Sequence, residues 1–531
     1  MNGPVVEGTV GIVGAGTMGA GIAQVAAVAG RRVLIADALP GAAARAVASV
    51  RDRVKAQVAK GRLSVDPDAL DLTAVESVAE LAGCAVVIEA VVEDLAVKRA
   101  LFAELEAVVA ADAILASNTS SLSPTALAAG LTSPRRLVGL HFFNPVPAMR
   151  LVEVISGLAT APEVADAAAG LATEWGKTVV RSTATPGFIV NRIARPFYAE
   201  AWRLYEEHAS VPQHIDAVLT GAGGFRMGPF ALMDLIGHDV NEAVTRSVWA
   251  AFGYDPRFAP SLAQRALVEA GWLGRKAGRG VYPADGAPAP APAPAAPPPA
   301  AVTEHAAHRA PSPLRPLLER AGVAIVPGDR DVAAAGLPDG FVELPSGALL
   351  VLCEGVTATS LSAAFERPVI VADRVLDPAT ATAIAIAAAD GCPPAVAAEA
   401  VGLLQAAGLD VYLIDDIPGL IVTRTVAMLA NLAADALACG VATEPDIDNA
   451  MRLGVNYPLG PLAWARQWET GTVLRILDRL DDWYRDARYR PSPLLRRTVL
   501  AHRASTAGPH QELFSVAAVL VGVGSPGGSS R

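Results

Sequence analysis

The chain has 531 residues, 52% of them hydrophobic, and a formal net charge of −10. This length is more than one hydrophobic core supports, so we expect two or three domains. The negative charge argues against a nucleic-acid-binding surface, and no apolar run is long enough to span a membrane.

The cysteines Cys84, Cys353, Cys392 and Cys439 are scattered along the chain without CxxC spacing. This pattern predicts buried thiols in a reducing compartment rather than a disulfide framework or a metal site. The N-terminal apolar stretch lacks the basic region of a signal peptide. We therefore expect a cytoplasmic protein.

A glycine-rich turn, Gly14-Ala-Gly16-Thr-Met-Gly19, follows the first predicted strand, residues 9–13. The first glycine permits a tight strand-to-helix turn, the second lets backbone N–H groups approach a pyrophosphate, and the third allows close helix–strand packing. The phosphates would bind at the helix N-terminus. The turn therefore predicts a dinucleotide site, although glycine-rich turns also serve packing alone.

Asp37 directly follows the second predicted strand, residues 32–36. An acid at this position accepts hydrogen bonds from both hydroxyls of the adenosine ribose, and it would repel a 2′-phosphate. NAD is therefore favoured over NADP. The alternative is that Asp37 only caps the helix that follows Pro40.

Residues 9–184 alternate short β-branched runs with alanine-rich segments of helical period. Such alternation is typical of parallel strands joined by crossover helices, so residues 1–184 are predicted to form a Rossmann-like domain. Strand signals vanish over residues 185–283, which predicts a helical domain. The Ala/Pro-rich residues 284–311 are predicted to be a semi-rigid, extended linker.

Segments of the helical domain recur at a constant offset of 232 residues, since positions 186 and 227 recur at 418 and 459. Pro186-Gly-Phe-Ile-Val-Asn191-Arg192 matches Pro418-Gly-Leu-Ile-Val-Thr423-Arg424, and Met227-Gly-Pro-Phe-Ala-Leu232 matches Leu459-Gly-Pro-Leu-Ala-Trp464. The constant spacing predicts a second helical copy over residues 394–502.

Between the copies, residues 312–393 contain strand-like runs without a glycine fingerprint, and they are predicted to be a reduced α/β segment without a cofactor. For the tail, residues 503–531, the sequence supports no prediction of structure or role, and disorder is one interpretation. The predicted fold class is thus an α/β Rossmann-like NAD-binding domain followed by an all-α C-terminal domain, with the helical domain duplicated.

A histidine and a carboxylate are available for proton transfer. His141 lies in Gly139-Leu-His-Phe-Phe-Asn-Pro145, and Glu153 follows a short apolar run at residues 149–152. If the two side chains meet, the carboxylate would orient the imidazole and stabilise its protonated form, which makes His141 a base for an alcohol proton. The alternative is a core histidine packed beside aromatic rings.

The polar loop Ser117-Asn118-Thr-Ser120-Ser121 follows a buried strand-like run. Ligands of open α/β sheets bind at the carboxyl ends of the strands, so this loop is a candidate ligand site. A helix cap before Pro124 is the simpler interpretation.

Four ordered segments together resemble the 3-hydroxyacyl-CoA dehydrogenase family: the glycine turn, the loop 116–121, the segment 139–145 and the segment 185–192. This resemblance covers residues 9–283. The duplicated helical domain, with residues 450–464 and 488–492, resembles that of family members acting on 3-hydroxyadipyl-CoA in phenylacetate degradation. It extends the match to residue 502.

The resemblance implies roles for the matched residues. His141 is the base, Glu153 is its orienting partner, and Ser120 and Asn191 donate hydrogen bonds to the substrate oxygen. The implied cofactor contacts are Gly14, Gly16, Thr17, Met18, Gly19, Asp37, Glu93, Lys98, Asn118, Asn144 and Lys276.

Four basic residues are candidates for substrate contacts. Lys60 and Arg62 match a basic helix turn that could meet the CoA phosphates, and an ordinary solvated helix end is the equal alternative. Arg150 and Arg226 are candidates to bind a second carboxylate at the far end of an acyl chain. The alternative for each is a surface arginine.

The implied activity is the NAD-dependent oxidation of a (3S)-3-hydroxyacyl-CoA to the 3-oxoacyl-CoA, in aromatic-acid degradation or fatty acid β-oxidation. The expected substrate is 3-hydroxyadipyl-CoA, and 3-hydroxybutyryl-CoA is an alternative. A free hydroxy acid such as gulonate is another alternative, against which the duplication counts. A non-catalytic NAD-binding structural protein is the last, and the intact set of His141, Glu153, Ser120 and Asn191 counts against it.

The second copy departs from the catalytic pattern. Thr423 stands at the position of Asn191, and Asp373 stands at that of His141, so the second copy is predicted to be structural. The helical domain of simpler family members forms a homodimer interface. We therefore expect the duplicate to pack against the first copy within one chain, and a homo-oligomer remains an alternative.

Overall fold

The computed structural model describes residues 6–306, 311–329 and 340–504, which form two compact units. The first unit contains residues 6–192 together with Ala436–Val455. The second contains the described parts of Ile193–Asp435 and residues 456–504. The predicted tail lies outside the described residues from position 505 onward.

The first unit is built on an eight-stranded sheet with the order β3-β2-β1-β4-β5-β6-β7-β8. Neighbouring strands pair in parallel, except that β6 and β7 are antiparallel. The strands are β1 Thr9–Val13, β2 Val33–Ala36, β3 Leu72–Ala74, β4 Cys84–Glu89, β5 Ile114–Ser117, β6 Leu137–Phe142, β7 Leu151–Ser156 and β8 Thr178–Thr183. The predicted Rossmann-like domain is confirmed.

Helices cover both faces of this sheet, as parallel strands that are apolar on both sides require. They are α1 Thr17–Val28, α2 Ala42–Ala59, α3 Leu95–Val108, α4 Pro124–Ala128, α5 Pro162–Glu174 and the short α6 Val190–Ile193. One core buries Ile22 of α1 and Leu171 of α5 with Ile12 of β1. The other buries Phe102 of α3 with Val87 of β4.

The remaining helices start at residue 195, in the first helical copy. They are α7 Arg195–Glu206, α8 Pro212–Gly221, α9 Pro229–Ile236, α10 His238–Ala251, α11 Leu262–Glu269, α12 Arg315–Ala321, α13 Ala358–Phe365, α14 Pro394–Ala406, α15 Val422–Ala438, α16 Glu444–Gly454, α17 Pro461–Gln467, α18 Thr470–Tyr484 and α19 Pro493–Ala504. Of these, α16 and the end of α15 belong to the first unit. In the described part of the chain, no helix is both long and apolar enough to cross a bilayer.

A second sheet of seven strands lies in the second unit, with the order β10-β9-β11-β12-β13-β14-β15. Its strands are β9 Ala301–His305, β10 Ala324–Pro327, β11 Phe341–Glu343, β12 Leu349–Leu352, β13 Val369–Ala372, β14 Ala383–Ala388 and β15 Asp410–Leu413. As in the first sheet, β13 and β14 are antiparallel, and β12 and β15 pair in parallel with them.

The second sheet extends beyond its predicted limits on both sides. β9 falls in the predicted linker, 284–311, where it pairs with β10 and β11 and buries Val302. Upstream of β9 the linker is held as well, because the Gln405 side chain accepts from the Ala296 N–H and donates to the Ala293 carbonyl. Ala/Pro composition alone predicted an extended spacer, and these long-range partners correct that prediction.

The second helical copy was predicted from residue 394 as all-α, and the structure corrects this prediction too. α14 and β15 complete the second sheet, just as α5 and β8 complete the first. The duplication thus includes part of the sheet: β7 and β14, and likewise α5 and α14, have bounds that differ by the same 232 residues. Backbone conformation repeats with them, since Phe188 and Leu420 have φ values of 49° and 44°.

The two halves exchange contacts at equivalent positions. Within the second unit, α8 packs on β14, and the Asp415 N–H donates to the Ala209 carbonyl at 2.9 Å. Within the first unit, α16 packs on β7 and β8, and the Thr183 N–H donates to the Val441 carbonyl at 2.9 Å. The first helical copy therefore provides a helix that covers the second sheet, and the second copy provides a helix that covers the first sheet.

The two copies also contact each other directly in the second unit. The wholly buried Arg424 of α15 donates to Glu200 of α7 at 3.0 Å, and the Tyr489 hydroxyl donates to the same carboxylate at 2.9 Å. The Phe225 ring packs against Trp464 with a centroid distance of 5.4 Å. The buried Glu200 carboxylate thus has two partners from the second copy. Separating the copies would leave this charge unpaired, which is costly, so these contacts stabilise the association of the two copies.

Candidate active site

The glycine turn has the geometry that a bound pyrophosphate needs. Gly14 has a φ of 104°, and a Cβ there would lie 2.5 Å from the Ala90 carbonyl oxygen. A Cβ on Gly19 would collide with the carbonyl of Gly14, so the third glycine is required for packing. A Cβ on Gly16, at the start of α1, would meet no atom within 4 Å, so open space lies in front of the helix N-terminus.

Asp37 is fixed beside this turn. Its Oδ2 accepts from the Ala15 N–H at 2.7 Å, and its Oδ1 accepts from the Leu39 N–H at 2.8 Å. Each carboxylate oxygen retains a lone pair for a ribose hydroxyl. Thr17 and Met18 form the first turn of α1. The glycines, the helix start and the acid therefore fit an adenine dinucleotide without a 2′-phosphate.

His141 and Glu153 meet across the antiparallel strands. The two residues are direct partners in the β6–β7 pair, and the Nδ1 of His141 lies 2.7 Å from the Oε2 of Glu153. Glu153 is wholly buried, and its Oε1 accepts from the N–H groups of Ile189 and Val190 at 3.1 and 3.0 Å. With Nδ1 engaged, Nε2 is the ring nitrogen left to exchange a proton with a ligand.

Two phenylalanines flank the His141 ring. The Phe143 ring has a centroid distance of 4.6 Å from it, and the Phe188 ring one of 5.9 Å. Phe188 has a left-handed backbone that a bulky residue seldom adopts. The rings limit the orientations of the imidazole, and sequence reasoning did not assign them this role.

Glu93 holds the polar loop after β5. One of its oxygens accepts from the Ser120 N–H at 2.9 Å, the Ser121 N–H at 2.9 Å and the Thr119 hydroxyl at 2.7 Å, and the Ser120 hydroxyl donates to it at 3.2 Å. Burial opposes ionisation of Glu93, but the charge of Lys98 and the hydrogen bonds lower its pKa to about 2. The loop that carries Ser120 is therefore organised around a carboxylate.

Lys98 is buried behind this loop. Its ammonium group contacts Glu89 at 2.5 Å and Glu93 at 3.2 Å. Glu89 is itself wholly buried and accepts from the Ser117 hydroxyl at 2.7 Å. Glu89 was missed at the sequence level, although an acid at the end of an apolar strand is a signal for a buried partner.

Two asparagines connect the loop to the elements around His141. The Asn118 side-chain oxygen accepts from the Phe142 N–H at 2.9 Å. The Asn191 side-chain amide donates to the Ser120 carbonyl at 3.3 Å. The structure thus brings the predicted Ser120, Asn118, Asn191, His141 and Glu153 into one connected group within the first unit.

Four other predicted contacts take no part in the hydrogen bonds described for this group. Lys60 and Arg62 are exposed at the end of α2, and Asn144 is exposed just after β6. Lys276 belongs to the second unit, where it forms an ion pair with Asp239 at 2.6 Å. The ligand contacts of these four residues stay predictions.

Three protein-family descriptions match successive parts of the chain. Residues 9–185 match the 3-hydroxyacyl-CoA dehydrogenase NAD binding domain, and residues 187–284 and again 419–511 match the C-terminal domain of the same family. Residues 350–418 match the 3-hydroxybutyryl-CoA dehydrogenase reduced Rossmann-fold domain. The two C-terminal matches support the predicted duplication.

Some known proteins match nearly the whole chain, and others match about half of it. A 3-hydroxyadipyl-CoA dehydrogenase of Escherichia coli K12 is 45% identical over 93% of this chain and 97% of its own length. A crystal structure of a 3-hydroxybutyryl-CoA dehydrogenase from Escherichia coli K12 superposes with a TM-score of 0.84 at 43% identity, over 94% of this chain and 99% of that one. The (S)-3-hydroxybutyryl-CoA dehydrogenase structure from Ralstonia eutropha, with a TM-score of 0.50 at 40% identity, covers 52% of this chain and 98% of that one.

These matches agree with the class that the glycine turn and Asp37 indicate, an NAD-dependent oxidoreductase. The chain belongs to the 3-hydroxyacyl-CoA dehydrogenase family, as the sequence motifs predicted. NAD is its cofactor.

Proposed function

We propose that the protein oxidises (3S)-3-hydroxyadipyl-CoA to the 3-oxoacyl-CoA, as a step in the degradation of phenylacetate. The observation that carries the reaction type is the buried His141–Glu153 contact of 2.7 Å, connected to Ser120 and Asn191 in the same unit as the dinucleotide turn. The acyl group is inferred from the 3-hydroxyadipyl-CoA dehydrogenase of Escherichia coli, which is 45% identical over 93% of this chain and therefore matches across both copies.

The chemistry requires a base for the hydroxyl proton. We infer that His141 takes this proton on Nε2, while Glu153 stabilises the resulting imidazolium through Nδ1. Ser120 and Asn191 steady the substrate oxygen with hydrogen bonds. Bound NAD would supply the acceptor for the hydride that leaves C3. Holding these groups around one carbon lowers the barrier, because the reacting groups are already oriented when the substrate binds.

A shorter substrate, 3-hydroxybutyryl-CoA, is the second candidate. It is favoured by the crystal structure of a 3-hydroxybutyryl-CoA dehydrogenase from Escherichia coli, which superposes over 94% of this chain. Steady-state kcat/KM for 3-hydroxyadipyl-CoA and 3-hydroxybutyryl-CoA should be measured side by side. A higher value for the adipyl ester supports the proposal, and a higher value for the butyryl ester would replace it.

The same assay separates the remaining alternatives. NADH consumption with acetoacetyl-CoA, but not with free oxo acids or without substrate, is expected of a 3-hydroxyacyl-CoA dehydrogenase. Consumption only with a free acid would indicate a gulonate-type enzyme. No consumption with any substrate would favour a structural NAD-binding protein.

Arg150 is the candidate cation for the distal carboxylate within the first unit. It is exposed and lies directly before β7, the strand of Glu153. Arg150→Gln should lower kcat/KM for the adipyl ester and leave the butyryl ester unchanged, whereas the exposed Arg135→Gln should affect neither. Equal effects on both esters would return Arg150 to the role of a surface arginine.

We also propose that the second copy takes the place of a partner subunit. The contacts between Arg424, Tyr489 and Glu200 support this proposal, because they bury a charge between the two copies. Light scattering after size exclusion should give a mass near 54.5 kDa. A mass of twice this value would contradict it. The cysteines were predicted to be buried. Cys84 and Cys353 are, whereas Cys392 is half-buried and Cys439 is exposed. Four free thiols without a disulfide support a reducing, cytoplasmic location.

A further inference from the structure

The second helical copy contributes one helix to the first unit. α16 packs on β7 and β8, and two backbone N–H groups of β8 donate hydrogen bonds to α16 and to the residues just before it. The Thr183 N–H donates to the Val441 carbonyl at 2.9 Å, and the Arg181 N–H donates to the Asp446 carboxylate. The helix therefore lies against the strand that carries Glu153.

Gly454, the last residue of α16, is buried at the tightest point of this contact. A Cβ there would lie 2.7 Å from the Leu151 Cδ2, 3.1 Å from the Val190 Cγ2 and 3.5 Å from the Phe143 Cε1. Real Cβ atoms essentially never approach another heavy atom to below 3.0 Å. A side chain at 454 would therefore force the end of the buried Leu151 side chain to shift, and close packing around Leu151 passes such a shift to its neighbours.

Each of the three neighbours belongs to a segment that holds the catalytic pair. Leu151 is two residues before Glu153 on β7, so both side chains point to the same face of the strand. The Val190 N–H donates to the Glu153 carboxylate at 3.0 Å. The Phe143 ring lies 4.6 Å from the His141 ring.

The non-catalytic half differs at these positions. The residue equivalent to Gly454 is Ala222 at the end of α8, and the residue equivalent to Leu151 is Ala383 on β14. At these equivalent positions a glycine thus faces a leucine in the first unit and an alanine stands opposite an alanine in the second, where Gly221 of α8 makes the close contact with Ala383 instead. The absent side chain at 454 makes room for the larger side chain at 151.

We propose that Gly454 is a positioning residue for the His141–Glu153 pair, supplied to the catalytic unit by the second helical copy. This inference rests on the proposed roles of His141 and Glu153. It assigns the second copy a part in the reaction beyond scaffolding.

Gly454→Ala tests the inference, with Gly471→Ala as the matched control. Gly471 lies in α18 of the same copy and has no neighbour within 4 Å of an added Cβ. We expect Gly454→Ala to lower kcat for acetoacetyl-CoA reduction by about tenfold or more, since a 1 Å misplacement of catalytic groups can cost roughly 10²-fold. The dissociation constant for NADH should stay equal to that of the control.

A second variant separates positioning from general damage. Leu151→Val removes the atom that the new methyl group would meet first, so Gly454→Ala/Leu151→Val should regain the kcat of Leu151→Val alone. Equal kcat for Gly454→Ala and Gly471→Ala would overturn the inference. A parallel loss of NADH affinity, or no recovery in the double variant, would overturn it as well. An inactive wild-type enzyme in the same assay would instead defeat the proposed function, and the inference with it.

Discussion

Asp373 and Glu153 accept hydrogen bonds from equivalent backbone groups, although the two residues do not occupy equivalent positions in their sheets. Glu153, on β7, accepts from the Val190 N–H at 3.0 Å. Asp373, directly after β13, accepts from the Val422 N–H at 2.6 Å, 232 residues further along the chain. Asp373 itself stands at the position of His141, so the acceptor has moved to the neighbouring strand.

The position equivalent to Glu153 in the second sheet is Ala385, whose carbonyl accepts from the Asp373 N–H at 2.9 Å. The Thr423 hydroxyl takes the other oxygen of Asp373 at 2.7 Å. The second sheet therefore has the acceptor that holds the start of its helical copy, but it lacks the pair of groups needed for proton transfer.

The first prediction concerns the base. His141→Gln should lower kcat by about 10²- to 10⁴-fold, because an amide cannot take the hydroxyl proton. NAD affinity should change little, since the dinucleotide turn is left intact. Steady-state kinetics and NADH fluorescence titration measure the two effects, with His208→Asn, an exposed histidine, as the control. Near-normal turnover of His141→Gln would refute the assignment.

The second prediction separates the two oxygens of Glu153. In Glu153→Gln the remaining carbonyl oxygen can still accept from Ile189 and Val190, but the neutral amide cannot stabilise an imidazolium. We expect kcat to fall roughly 10²- to 10⁴-fold, as for other acids that orient a catalytic histidine. The thermal midpoint should fall less than in Glu153→Ala. Unchanged kcat would mean that the carboxylate serves only the backbone.

The third prediction concerns Asp373. Asp373→Ala leaves the N–H groups of Ile421, Val422 and Thr423 and one hydroxyl without their buried acceptor. The loss of folding stability should be about 3 kcal/mol or more, because each unsatisfied buried donor is costly. Calorimetry should show a lower thermal midpoint, while kcat per folded molecule stays unchanged.

Asp390→Ala is the control for this variant, since its side chain is exposed on the same sheet segment. Equal midpoints for the two alanine variants would contradict the structural role of Asp373. A loss of kcat without a loss of stability would show that the second sheet takes part in chemistry.

The fourth prediction concerns pH. Despite burial, Lys98 and the hydrogen bonds of the polar loop lower the pKa of Glu93 from 4.5 to about 2. Ionised Glu93 therefore stabilises the folded state above pH 4.5, and this contribution is lost as the pH falls from 4.5 towards 2. Glu93→Gln should lower the thermal midpoint at pH 7, and its difference from wild type should shrink below pH 4.5. A difference that is constant down to pH 3 would argue against the lowered pKa.

The fifth prediction concerns the second half of the chain. A chain ending at residue 283 lacks Arg424 and Tyr489, which pair with Glu200, and Tyr457, whose ring lies 5.0 Å from that of Phe225. The exposed apolar and charged surface should cause association or loss of solubility, measured by size exclusion with light scattering. A stable, monomeric and fully active truncated protein would contradict the role given to the second copy.

Part of the site was predictable because it is local. Gly14, Gly16 and Gly19 fix one turn, and Asp37 ends the next strand, so neither depends on distant packing. The repeat was visible for the same reason, since a constant offset needs no coordinates. Other parts depended on distant partners. β9 was missed because its pairing with β10 and β11 compensates for its alanine- and proline-rich surroundings.

The amino-acid sequence by itself determined the nucleotide turn, the preference for NAD and the doubled plan of the chain, because each is encoded in residues a few positions apart or in a regular repeat. Only the tertiary structure decided that His141 faces Glu153, that the buried Lys98 pairs with two acids, and that Gly454 of the second copy packs beside the catalytic strands. Strand register and the close approach of a helix depend on packing between residues far apart in the chain, and short-range sequence patterns do not specify it.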